Sequence, residues 1–188
     1  MANLKEIRNR ISSVTSTMKI TSAMKMVSAA KLKKAQDAIT AMRPYSEKLT
    51  DLMSNFSDII SSSSISYLSE TRDVKNVLVV SICSNKGLCG AFNSNVIKQS
   101  LSLKNEEEYN GANFSYLTIG KKANDILSKT ENIISNHSDV YDNLIYDEVA
   151  SVSEKIVEEF SLGNFDKVLI VFNSFKNAAN QIVKTEQF

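Results

Sequence analysis

The sequence predicts an α/β protein in which a long coiled-coil-type helix precedes a mostly parallel, Rossmann-like α/β domain. Three observations carry this. Seventeen positions from Leu4 to Ile60 recur at alternating spacings of three and four, and 13 of them are apolar, the a/d pattern of a helix that packs lengthwise on another. The period changes at Val74, where valine-rich apolar runs bounded by turn residues begin. Those runs alternate with helical patterns, as a parallel sheet with crossover helices requires. The expected division is a shaft helix over residues 1–60, a Ser-rich linker over 61–73 and an α/β domain over 74–188.

The helix is expected to open at Asn3, an N-cap with Glu6 as its reciprocal acidic partner. Its seam runs through Leu4, Ile7, Ile11, Val14 and Met18, then Leu32, Ile39 and Met42, and on through Leu49, Met53 and Phe56. Between Met18 and Leu32 the seam positions are Thr21, Lys25 and Ser28, so the coiled-coil pattern is weakest there. Two readings stand: a solvated gap between packed halves, or a stretch that touches something other than a partner helix. Met24, Met26 and Val27 would then offer adaptable apolar contacts and the lysines would seek carboxylates. Pro44 removes one helical hydrogen bond and should bend the helix, but the seam resumes beyond it.

In the second half, residues 74–83 read as a strand buried on both faces. SNKGLCGAFN forms a loop into a helix over 93–103 with Val96, Ile97 and Leu101 inward. Glu106 to Glu108 mark a surface loop. A strand over 114–119, a helix over 121–128 and a short strand over 132–135 follow. The next helix covers 147–160 with Val149, Val152, Ile156 and Phe160 inward, and ends near Gly163. A third buried strand spans 167–173, a loop 174–180, and an alternating strand 181–188.

The formal net charge is +1, yet residues 1–36 hold eight basic residues against Glu6 alone, which is +7 and leaves −6 for the other 152. A basic rod on a mildly acidic body suits nucleic acid, an anionic membrane surface or an acidic protein partner. No run approaches a membrane span, and no secretory signal opens the sequence. Cys83 and Cys89 read as buried free thiols of a reducing compartment, since no His or second cysteine pair suggests zinc.

Catalytic candidates are sparse. The loop SNKGLCGAFN lies between strand and helix, where backbone amides can cradle phosphate, but it lacks both the G-x-G-x-x-G and the lysine-ending fingerprints. Its glycines read more simply as a tight turn with Cys89 packed beneath. His137, in the polar run SNHSD, reads as a solvated loop residue, and Glu154, Glu158 and Glu159 as one exposed helix face. No catalytic set, metal site or cofactor site is expected.

The residues also carry a resemblance. ANLKEIRNRISSVTSTMKITSAMKMVSAAKLKKAQ at residues 2–36, MRPYSEKL at 42–49 and SNKGLCGAFNSN at 84–95 closely resemble the gamma subunit of F-type ATP synthases. The resemblance covers essentially all of the chain, and the first block is its most specific part. It implies a central rotor stalk without catalytic residues. In that family the N-terminal helix pairs with a C-terminal helix inside a hexamer of alpha and beta subunits, and catalysis occurs on beta. The shaft is driven by the proton-powered membrane c-ring, with the epsilon subunit beside the α/β body. The implied location is the cytoplasmic face of the bacterial inner membrane, reached only through the complex.

Lys19, Met24, Lys25, Met26 and Lys31 match the segment that in the family faces acidic loops of the beta subunits. Family members end in the second shaft helix, whereas these residues stop at TEQF, so the resemblance implies a chain truncated before that helix. Two other functions fit the residues less well. A small phosphate-binding α/β enzyme needs an acid, base or nucleophile in context, and none is found. A basic helical nucleic-acid binder needs stacking or base-reading residues, yet residues 1–44 contain no aromatic.

Overall fold

The computed structural model describes residues 3–60, 72–142, 144–177 and 179–188, with side chains of 56–60 left aside. The chain divides into two compact units, Met1–Ser63 and Ser64–Phe188. Apart from Arg72 and Asp73, the linker expected over 61–73 lies outside the described residues.

The first unit is one helix, α1 (Leu4–Ile60), 57 residues long, or roughly 85 Å at the helical rise. Asn3 caps it: its side-chain oxygen accepts the backbone N–H of Lys5 at 3.3 Å, and its carbonyl accepts from Glu6 and Ile7. The reciprocal half of the expected box is replaced, because Glu6 turns forward to Arg10, 3.8 Å away. Pro44 lies inside the helix, which continues past it.

The second unit is built in chain order from β1 (Asn76–Ile82), α2 (Phe92–Ser102), β2 (Asn113–Ile119), α3 (Lys121–Leu127), β3 (Asn132–Asn136), α4 (Tyr146–Ser161), β4 (Lys167–Phe175) and β5 (Gln181–Gln187). The strands form one sheet in the order β3-β2-β1-β4-β5. All neighbours are parallel except β4 and β5. β1 is central and explains the two-sided apolar run, since alternate side chains enter opposite cores. Val77 and Val79 join Tyr116, Leu169 and Val171 beneath Val96 and Ile97 of α2 and Leu127 of α3. Leu78 and Val80 join Leu117 and Val168 beneath Val152 and Ile156 of α4.

Several local expectations change. The loop expected from Ser174 begins later, because β4 continues to Phe175 and pairs Ser174 with Ile182 and Phe175 with Gln181. Asn177 then closes the hairpin, its side-chain oxygen accepting the N–H of Ala179 and of Asn180. Val149 is 42% exposed, and the buried residues of α4 are Val152 and Ile156, one and two turns further on. The acidic loop is more than solvated charge. Glu108 pairs with Lys167, and this contact holds the glutamate below its usual carboxylate range.

A basic helix and a glycine turn as candidate functional sites

The contact residues expected on α1 lie on a helix with an uncovered seam. The seam side chains Leu4, Ile7, Ile11, Val14, Met18, Leu32, Ile39 and Met42 are all exposed, from 39% at Ile39 to 72% at Leu4. An apolar stripe of this length left open to water is unfavourable by itself and marks a surface made to be covered. Among the described residues, Lys19, Lys25 and Lys31 are in no ion pair, so their charges are available.

Helical geometry does not gather all five expected contact residues on one face. At about 100° per residue, Met24 and Lys31 fall within roughly 20° of each other, as do Lys19 and Met26 on another face, and Lys25 sits on the seam. Ile20, Ala23, Met24, Val27 and Ser28 form a shallow apolar groove along α1. That stripe, at spacings i, i+3, i+4, i+7 and i+8, runs beside the weak part of the seam and includes Ile20 and Ala23, which lie outside the expected contact set. Its helical spacing was legible in principle, but the a/d register drew attention to Thr21, Lys25 and Ser28 instead.

The glycine loop is a closed turn. The Asn93 side-chain oxygen accepts the backbone N–H of Ser84 at 2.9 Å and the Ser84 hydroxyl at 2.9 Å. Its amide donates to the Lys86 carbonyl at 3.2 Å and to the Cys89 sulfur at 3.2 Å. One asparagine of α2 thus fastens the loop that leads into its own helix. Gly90 has φ of +59°, the left-handed conformation for which glycine is the natural residue. Leu88 has φ of +59° as well and is fully solvent-exposed, so the turn holds a bulky residue outward at a conformational cost.

Cys83 and Cys89 are free thiols, but only Cys83 is buried; Cys89 rides on the turn rather than packing under it. Cys83 sulfur accepts the N–H of Ala123 at 2.9 Å, and burial pushes its thiol above the ordinary range, which keeps it protonated and inert. His137 is not a solvated loop residue either. Its Nε2 is buried with no hydrogen-bond partner among the described residues, and burial lowers its pKa, with Lys155 adding to the effect and Asp139 opposing it. Among the described residues no group of three or more His, Cys, Asp and Glu could hold a metal ion, and no helix is long and apolar enough to cross a membrane.

A family model described as ATP synthase matches residues 3–188. The chain belongs to the ATP synthase gamma-chain family. It is 57% identical over its whole length to the ATP synthase gamma chain of Flavobacterium psychrophilum and spans 65% of that relative. The gamma chain of Cytophaga hutchinsonii is 40% identical, again over the whole chain and 65% of the relative. Among solved structures, the central stalk and c-ring of the Tetrahymena thermophila mitochondrial ATP synthase matches with a TM-score of 0.64 at 27% identity, covering 90% of this chain and 71% of that one. The rotor of the Euglena gracilis mitochondrial enzyme shares the fold, with a TM-score of 0.62 at 20% identity over 96% of this chain and 60% of that one. The gamma-chain fold is therefore the long helix followed by the mixed, mostly parallel sheet described above.

Proposed function

We propose that the chain acts as a central rotor stalk subunit of an F-type ATP synthase, transmitting torque between the proton-driven membrane c-ring and the catalytic hexamer of alpha and beta subunits. The observation that carries this reading is α1: 57 residues of uninterrupted helix with an exposed apolar seam and a basic first half, in a chain of the gamma family. A stiff helix transmits torque when its backbone hydrogen bonds are satisfied along its length, and a seam covered on assembly keeps them so. The role is mechanical and non-catalytic. Catalysis belongs to the beta subunits, the epsilon subunit lies beside the α/β body, and the complex sits at the cytoplasmic face of the bacterial inner membrane. Lys19, Met24, Lys25, Met26 and Lys31 are the proposed contacts to acidic beta-subunit loops, joined by Ile20 and Val27 of the stripe that includes Met24.

Replacing Ile11 and Val14 together by Asp tests the seam, since each charge would enter an apolar interface at a cost of several kcal/mol. The doubly substituted chain should fail to co-purify with the nucleotide-hydrolysing hexamer. Lys25→Glu should leave assembly intact and reduce proton-driven ATP synthesis severalfold in reconstituted complexes. Normal assembly of the double variant would remove the basis of the proposal.

A further inference from the structure

The α/β body contains a crevice of about 630 Å³, walled on one side by residues of the glycine turn, that the stalk role does not use. It opens at the carboxyl ends of β1 and β4. From β1 the chain crosses through α2 to β2 on one side, and from β3 it returns through α4 to β4 on the other. The sheet order therefore reverses between β1 and β4, which is where doubly wound sheets open a ligand-binding crevice.

The lining is not that of a plain packing defect. Phe92, Tyr141 and Phe172 supply aromatic walls, and Lys86, Asp142 and Asn173 supply polar groups at the rim. Among the described residues, neither Lys86 nor Asp142 is in an ion pair. Asn173 donates its amide to the Phe92 carbonyl at 2.9 Å, which leaves its side-chain oxygen to accept. Tyr141 is 42% exposed over the residue as a whole, while desolvation around its hydroxyl pushes its pKa up to about 12. The volume lies within the range of small-molecule sites, which pair apolar walls with a few convergent polar groups.

We propose that this crevice binds a mononucleotide, with the base against Phe92 and Phe172, the phosphate toward Lys86, and the ribose hydroxyls toward Asp142 and Tyr141. Each part of the ligand answers one feature. Flat aromatic walls favour a π-face, a lone ammonium at the rim favours an anionic tail, and a free carboxylate accepts from hydroxyls as the acidic residue does in dinucleotide sites. An inorganic anion would use none of the aromatic surface, and a purely apolar ligand would leave both charges idle. The site stands apart from the role of α1, so its failure and that of the stalk assignment are separate results.

The test is a titration of ADP into the isotope-labelled 188-residue chain, followed by backbone amide resonances. Saturable shifts are expected at Ser84 to Lys86, Tyr141, Asp142 and Asn173. Lys86→Gln, on the exposed turn, should weaken ADP about fivefold and leave adenosine unchanged, and Tyr141→Phe should weaken both about threefold. The proposal is overturned if ADP gives no saturable shift by about 10 mM or if the shifts map elsewhere. It is overturned equally if inorganic phosphate reproduces the ADP response at the same affinity, because the aromatic walls would then play no part.

Discussion

The two units of this chain bury their apolar residues in different ways. In the body, Val77, Val79, Leu78 and Val80 of β1 are fully or almost fully buried in two cores that the chain fills from its own helices. In α1, Leu4, Ile11, Val14 and Met42 are each more than 60% exposed, although their spacing is as regular as anything in the body. The difference teaches that hydrophobic periodicity fixes which face of an element is apolar, not what will cover it. For the body the cover is the neighbouring helix, and for α1, in the stalk role proposed above, it is supplied on assembly.

The largest effect should come from the body's tightest point. Gly120 has φ of +117°, and a methyl group there would lie 2.2 Å from the carbonyl oxygen of Cys83. Gly120→Ala should cost about 3 kcal/mol or more in urea unfolding of the body, because backbone must shift to relieve both the clash and the strained φ. Stability equal to that of the parent would mean that β1 and the start of α3 are less closely joined than described.

A paired measurement sharpens the contrast. Leu78→Ala, at a fully buried site, should destabilise the body by about 3 kcal/mol. Ile11→Ala, at a site 61% exposed, should change the same transition by less than about 0.5 kcal/mol. Similar losses for the two would show that α1 helps to hold the body together.

The smallest effect concerns pH. The folded-state pKa of His137 is lowered from 6.5, so as pH falls the unfolded chain takes up the proton first. The stability this residue contributes is complete above the unfolded value, about 6.5, and is lost as pH falls from there through the folded value. His137→Gln should flatten that part of the stability profile, measured as urea midpoint against pH, and an unchanged slope would place the ring in water.

Much of this was legible in the sequence because the signals were local and repeated. The strand over 74–83 shows as valine density, α2 as Val96 and Ile97 three and four residues after the turn, and α1 as a seam whose register runs from Leu4 to Ile60. What was not legible depended on contacts between distant segments. Val149 shares the helical spacing of Val152 and Ile156, yet it stays 42% exposed while they are buried. His137 sits in a polar run yet is half-buried, with its Nε2 out of solvent, and Cys89 looks like a core residue but is exposed on the turn that Asn93 fastens. On α1, the five proposed contacts are neighbours in one sequence block, whereas the helix distributes them over three faces.

Amide hydrogen exchange tests the central claim most directly, compared between the isolated chain and the ATP synthase complex purified from cells. A long helix with its apolar seam open gains little from propensity alone, so α1 amides over residues 4–55 should exchange readily in the isolated chain while those of β1 stay protected. In the complex α1 should slow about a hundredfold or more as its seam is covered. Equal protection of α1 in both samples would contradict the account.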